Sequence, residues 1–407
     1  MKLELSHLNY ETHLMINAAS EVIEKLHKHS YEAYIVGGAV RNLLLKKDVN
    51  DIDITTNCLP ENIIKIFEKT VPVGIEHGTV IVLWRDFQFE VTTFRVDGDY
   101  IDHRRPEQVQ FVSDLKSDLE RRDFTINALA LSETHEVIDY FEGQNDLINK
   151  EIRAVGNAAH RFEEDALRMM RAIRFQSILD FHIEKNTMLA LDKLASTIAL
   201  VSIERIVVEL KKLLMGKGVY KALNQFYQTL HGYIPFFKEI KGNTNAYLIE
   251  TPVNFTVYIA YIINCEINEG HDLTQKISDF KISNQEKKNI KDCVLIFDYF
   301  NQPKMSLKSF VYRYDINLIQ SVYQFIKNEA ILFEDNIDIN GIQNAYQQLP
   351  IRTRGELQID GNVLMKHMNK KPGPWLKTMI NKIELEVIEG RLSNTQENIL
   401  EWANNHV

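Results

Sequence analysis

The chain has 407 residues, 45% of them hydrophobic and 25% charged, with a formal net charge of −9. That length calls for more than one core, and the composition excludes the disordered class. No apolar run approaches the roughly 20 residues of a membrane helix, and the opening MKLELSHLNYETHL has no apolar stretch of signal-peptide length, so a cytoplasmic protein without membrane association is expected.

In chain order, an amphipathic stretch near residues 11–29 leads to a short apolar strand at 33–36. A Gly37-Gly38 turn and a helix-like segment at 39–46 follow, then an aspartate-bearing strand at 51–55. Residues 59–69 read as a helix with Pro60 in its first turn. The runs VPVGI, GTVIVLW and FQFEVTTFRV read as strands separated by turn residues. Past about residue 150 the β signal fades and helical periodicity runs to the C-terminus, broken by Gly, Pro and Asn clusters at 241–245 and 370–374. The expectation is an α/β head followed by a long helical body.

Cys58, Cys265 and Cys293 share no CxxC spacing and read as reduced, mostly buried thiols. His271-Asp272 has no companion histidine cluster and reads as a loop coincidence. Negative net charge does not decide against a nucleic-acid partner, because phosphate binding depends on where cations lie. Residues 361–383 hold five lysines (Lys366, Lys370, Lys371, Lys377, Lys382) and no acid, and Arg205, Lys211, Lys212, Lys217 and Lys221 form a second cluster. Solvated faces would look the same.

Four groups of residues carry the chemistry. A glycine turn entering a helix, Gly37-Gly38, exposes backbone N–H groups that hold phosphate, and Arg41 lies one turn further on. Asp51 and Asp53, at i and i+2 on a strand, point to one face, the geometry for Mg²⁺; Glu90 is a third carboxylate on a neighbouring strand. Three such acids suit two-metal transfer of a nucleotidyl group, while a solvated strand end and a cross-strand surface acid are the plainer readings. In ERRDFTINALAL, Asp123 and Asn127 would be side by side on a helix behind Arg122; an N-terminal Asp cap would give a similar string. In RFEEDALRMMRAIRF, Asp165 and Arg168 are close enough for an intrahelical salt bridge. Held in one plane, they could instead read the edge of a base, with Arg171 and Arg174 on the same recurring spacing.

GGAVRN, DIDI, RRDFTINALAL and EEDALRMMRAIRF, in this order, resemble the class II tRNA nucleotidyltransferases, the bacterial CCA-adding enzymes of the poly(A) polymerase superfamily. VGIEHGTVIV, RVDGDYIDHRRPEQVQF and the terminal segment from KKPGPW onward are also similar, so the resemblance spans essentially the whole chain. It implies a polymerase-β-like α/β head at 1–150, then an all-α neck at 151–212 that selects the nucleotide, a body at 213–300 and a tRNA-binding tail at 301–407. It further implies untemplated addition of C, C and A to the tRNA 3′ end from CTP and ATP, with Mg²⁺ and release of pyrophosphate. Gly37, Gly38 and Arg41 would hold triphosphate, and Asp51 and Asp53 the metal, with Glu90 assisting. Arg122, Asp123 and Asn127 would contact triphosphate and ribose, Asp165 and Arg168 would select the base, and Arg171 and Arg174 would support the nucleotide. The tRNA 3′ end and acceptor arm are the implied partners, and a homodimer is one option for the assembly. Residues 97–105 resemble a loop linked to the switch to ATP. Asn42 departs from the aspartate that the family carries after the arginine. The rivals are a poly(A) polymerase, enzymes that add only CC (against which the intact loop at 97–105 argues) or only A, and a non-catalytic RNA-binding module; a lost metal aspartate would mark the last, and both are present.

Overall fold

A computed structural model describes residues 2–97, 109–331 and 338–406. Of the segment 97–105 only Asp97 falls within the described residues. The chain divides into two compact units, 1–239 and 240–407.

The first unit opens with α1 (Tyr10–Lys28), β1 (Ala33–Val36), α2 (Gly38–Leu44), β2 (Asp53–Thr56) and α3 (Pro60–Ile66). It continues through β3 (Thr70–Val71), β4 (Thr79–Trp84), β5 (Phe87–Thr93), β6 (Arg95–Asp97), β7 (Val109–Phe111) and α4 (Leu115–Glu120). Then come β8 (Leu129–Leu131), β9 (Val137–Asp139), α5 (Gly143–Asn149), β10 (Glu151–Ile152), α6 (Ala158–Glu164) and α7 (Leu167–Leu179). β11 (His182–Ile183), α8 (Lys185–Leu194), α9 (Ile203–Leu213) and α10 (Val219–Thr229) complete it.

Seven strands form one sheet in the order β3-β4-β5-β2-β1-β8-β9. The β2–β5 pair is parallel and the other neighbours are antiparallel. α1 forms because Asn9 caps it through the Thr12 N–H, and because Ile16, Ala19, Ile23 and Leu26 recur at helical spacing on its buried face. α3 starts at Pro60 as expected but stops at Ile66, because Phe67 turns extended and buries its ring. Val36, Phe94, Leu119, Ala128 and Ala130 form a core cluster beneath the strands that carry the polar groups described below.

The second unit is helical among the described residues: α11 (Phe255–Asn268), α12 (Asn284–Asn301), α13 (Leu307–Arg313), α14 (Ile316–Asn328), α15 (Ile339–Gln347), α16 (Gly361–His367), α17 (Pro374–Ile388) and α18 (Gln396–Asn404). Side chains of Asn254, Ser283, Asp315, Asp360 and Thr395 cap α11, α12, α14, α16 and α18, each offering an oxygen to a first-turn N–H. Rings of Tyr261, Phe297 and Phe325 join α11, α12 and α14. His271 lies against the buried carboxylate of Glu266. No helix among the described residues is long and apolar enough to cross a membrane.

Candidate active site

The turn between β1 and α2 builds the first part of the site. Gly37 adopts φ 73°, ψ −133°, and a Cβ there would come within 3.1 Å of Arg122 Nη1. Glycine therefore serves both the backbone conformation and the close approach of a cation. Arg41 Nη1 donates to Asn127 Oδ1 (2.5 Å), while its Nε and Nη2 donate to Asn42 Oδ1 (3.2 and 3.0 Å). Two neutral amide oxygens thus hold this guanidinium in place without cancelling its charge. Burial, then the nearby Arg174, lower its pKa to about 10.

The carboxylates lie at the end of β2. The expected strand over 51–55 begins only at Asp53. Asp53 pairs with Val36, the last residue of β1, and beyond that point β1 has turned away at Gly37, leaving Asp51 without a ladder partner. Alternation survives the missing pairing: Asp51 and Asp53 are exposed and Ile52 and Ile54 are buried. Glu90 on β5 is the register partner of Asp53. Although Asp53 reaches solvent, the protein packed around its carboxyl partly desolvates it and pushes it up to about 6; Glu90 and Asp51 push it the same way, and Arg122 opposes them. The edge therefore carries negative charge that its own cations do not balance. No three His, Cys, Asp or Glu side chains among the described residues converge closely enough to hold a metal alone. Two carboxylates completed by substrate oxygens is, however, the usual donor set for Mg²⁺, so the residues fit that ion.

Residues 120–131 do not form the helix expected for them. α4 ends at Glu120, a 3₁₀ turn covers Thr125–Asn127, and β8 begins at Leu129. Backbone bonds Thr125 N→Arg153 O (2.9 Å) and Val155 N→Asp123 O (3.1 Å) engage this stretch in pairing with residues 153–155, and Asp123 Oδ1 takes the Phe124 N–H (2.8 Å). These bonds compete with a helix. Asp123 and Asn127 still meet, with Asn127 Nδ2 donating to Asp123 Oδ1 at 3.1 Å.

Residues 161–175 are likewise two helices rather than one. Asp165, at φ −145°, breaks the run between α6 and α7. The Asp165–Arg168 salt bridge does not form. Asp165 instead accepts a bidentate pair from Arg205 on α9 (2.7 and 3.2 Å) and the Leu167 N–H (3.1 Å). Arg168 donates to Glu164, to Arg161 O (3.1 Å) and to Arg121 O (3.1 Å). Arg171 pairs with Asp123 (Nε–Oδ2 2.7 Å) and Arg174 with Glu209 (2.5 Å). The Arg171 guanidinium is the main influence holding the Asp123 carboxyl at about 2 against its burial.

Most of these groups meet at one cavity of about 470 Å³. It is lined by every residue expected from the sequence except Asp51 and Glu90, which lie beside Asp53 at its edge. Arg121, Leu167, Phe175 and Arg205 line it too and were not anticipated there. Sequence spacing groups Arg205 with the lysines to 221, but Lys221 bridges Asp180 (2.7 Å) and Arg205 turns inward. A local signal was available, since Arg205 and Glu209 are at i and i+4 on α9. Phe175 is 3% exposed, and the guanidinium carbons of Arg174, Arg41 and Arg171 stand 3.8, 5.1 and 5.7 Å from its ring centroid.

Residues 33–153 match the family model for the poly(A) polymerase head domain, and residues 256–403 match that for tRNA nucleotidyltransferase domain 2. A third model, "Probable RNA and SrmB-binding site of polymerase A", covers 180–239. The CCA-adding enzyme of Staphylococcus epidermidis is 41% identical over 404 residues, spanning 97% of this chain and 99% of its own. That of Staphylococcus aureus (strain MRSA252) is 40% identical over 401 residues, spanning 97% and 98%. The crystal structure of the Bacillus stearothermophilus CCA-adding enzyme in complex with CTP superposes with a TM-score of 0.83 at 32% identity, covering 95% of this chain and 96% of that one. With similarity of this strength running almost end to end over a shared fold, the chain belongs to the CCA-adding enzymes, the nucleotidyltransferases that process tRNA.

Proposed function

We propose that this CCA-adding enzyme binds CTP and then ATP in the 470 Å³ cavity, with the triphosphate toward Gly37, Arg41 and Arg122 and the base toward Asp165 and Arg168. The observation that carries the reading is the division of charge within one cavity: carboxylates Asp51, Asp53 and Glu90 at one edge, and the cations Arg41, Arg171 and Arg174 around Phe175. Mg²⁺ held by Asp51 and Asp53, with Glu90 assisting, would supply Lewis-acid activation of the attacking hydroxyl and the leaving phosphate. In the transfer, the tRNA 3′-hydroxyl oxygen bonds to the α-phosphorus and the bond to the β-phosphate bridging oxygen breaks, so pyrophosphate leaves. Arg41 and Arg122 take up the charge that develops on it, and Asp123 with Asn127 holds the ribose.

Base choice follows from counting lone pairs. An ionised carboxylate offers about four acceptor sites. Three on Asp165 are taken by Arg205 and Leu167, leaving one on Oδ2. That site accepts from the exocyclic amine that cytosine and adenine both carry, and repels the carbonyl that uracil and guanine present instead. The bonds that Arg168 makes leave its Nε–H and one Nη2 hydrogen for the base.

Within the chain we assign the head to 1–150 and the selecting neck to 151–212, and we place tRNA on the lysine-rich tail from Lys366 to Lys382, in the cytoplasm. The test offers the enzyme tRNAs ending before C, after C and after CC, with CTP and ATP singly and together. Growth by C, C and A with both nucleotides is expected. Open-ended A addition would point to a poly(A) polymerase, and growth only of the CC-ended tRNA to an A-adding enzyme. Asp51→Asn or Asp53→Asn should abolish addition in a protein that still folds.

A further inference from the structure

Asp118 on α4 is 0% exposed. An ionised carboxylate at such depth is costly unless donors surround it. It accepts from Arg121 Nε and Nη2 (3.1 and 2.9 Å) and the Arg95 N–H (3.3 Å) at Oδ1, and from Arg122 Nη2 (3.5 Å) at Oδ2, where Thr55 Oγ1 (3.3 Å) shares its one proton between Asp118 and Thr92 O (3.2 Å). As a mere staple between α4 and the sheet, this ion cluster would be a poor choice, since apolar residues of similar volume do that work at least as well. Its donors have another property in common. Arg121 and Arg122 both line the nucleotide cavity, and Thr55 lies two residues from Asp53 on β2, hence on the same face. The bond lengths also differ in a telling way. Arg121 donates the two short bonds and is paired closely with the carboxylate, whereas Arg122 donates a single long one and is directed by it without close pairing.

We propose that Asp118 is a positioning residue for nucleotidyl transfer: it ties Arg122 to the strand carrying Asp53 and so sets where that guanidinium meets the triphosphate. The same carboxylate fixes Arg121, whose backbone carbonyl receives Arg168 Nη2 (3.1 Å), so the phosphate and base ends of the cavity share one anchor. The proposal rests on the reading of Arg122 as a triphosphate ligand.

The test uses the full-length enzyme with tRNA, CTP and ATP, and inorganic tripolyphosphate as a competing probe of the phosphate subsite. Asp118→Asn keeps the shape and removes the charge. KM for CTP and for ATP should rise together by about tenfold, the size of one lost charge-assisted hydrogen bond, and the inhibition constant of tripolyphosphate should rise with them. KM for tRNA should stay constant. Combining Asp118→Asn with Arg122→Ala should raise the nucleotide KM no further than Arg122→Ala alone. A lowered melting temperature with unchanged KM and inhibition constants would reduce Asp118 to a core staple and overturn the proposal. If Arg122→Ala itself leaves tripolyphosphate inhibition unchanged, the triphosphate reading of Arg122 fails; if Arg122→Ala weakens it and Asp118→Asn does not, only the positioning role fails. Should Asp118→Asn not fold, the isosteric Thr55→Val takes its place. A parallel rise of about threefold is expected there, the loss of one neutral donor, and unchanged constants overturn the proposal.

Discussion

Replacing Phe175 tests whether the cavity's cations are organised by an aromatic ring. Three guanidiniums lie within 6 Å of its centroid, and their carboxylate support is uneven. Arg174 has Glu209 and Arg171 has Asp123, but Arg41 is held by amide oxygens alone. The ring's negative face is therefore a shared partner that costs the site no anion, which favours the triphosphate proposed to bind there. A cation over a ring contributes about 0.5–1 kcal/mol when exposed and about 2 when desolvated. Arg174, at 3.8 Å and mostly buried, takes the upper figure, and the two more distant groups add little. Phe175→Leu should therefore weaken both CTP and ATP binding by roughly 1.5–2 kcal/mol, or about 10- to 30-fold in Kd. It should not change the preference between the two bases.

Leucine also removes ring volume, so a second series separates packing from electrostatics. Mono-, di- and trifluorophenylalanine at position 175 keep the shape and progressively drain the ring face. Calorimetric Kd for CTP, measured without tRNA at fixed salt, should climb stepwise with fluorine number. If Kd is flat across the fluorinated series while Phe175→Leu weakens binding, the ring acts by volume alone and the argument from its face is wrong.

Arg205→Ala should release Asp165 from its bidentate partner. Because that pair is only partly buried (side chains 26% and 16% exposed), the stability loss should be about 1 kcal/mol by thermal melt. The specificity loss should be larger, with the ratio of kcat/KM for CTP over UTP falling at least about tenfold; an unchanged ratio would contradict the lone-pair account of selection. At the proposed metal edge, the Asp53 carboxyl is held at about 6, above its ordinary 3.8, so a proton would compete with a divalent ion bound there. The sign follows directly: the raised pKa means that the metal-free fold binds this proton more tightly than the unfolded chain does. Metal-free stability should then fall as pH rises from about 4 through 6. Stabilisation by added Mg²⁺ should be small at pH 5 and grow through pH 6 to a plateau. A melting-temperature shift from Mg²⁺ that is independent of pH over that range would remove Asp53 from the metal set.

The parts of this site that sequence spacing makes visible are those whose geometry is local. Gly37-Gly38 needs only the conformation of its own backbone, and Asp51 and Asp53 alternate with buried isoleucines whether or not the strand ladder reaches them. Glu90 could be placed by strand alternation, and its pairing with Asp53 needs only that β2 and β5 be neighbours. Where local spacing misleads, a distant partner displaces a local one. Asp165 and Arg168 have the spacing of a helical salt bridge, yet Arg205, forty residues on, takes the carboxylate and the helix breaks there. Residues 120–131 carry helical spacing, yet residues 153–155 claim their backbone groups. Arg205 and Phe175 show the same limit from the other side: one has the character of a surface cation and the other of a core ring, and only the meeting of α7 with α9 makes them site residues. Motifs can therefore identify the reaction of this enzyme, whereas the positions of the groups proposed to choose its nucleotide are set by contacts that no window along the chain contains.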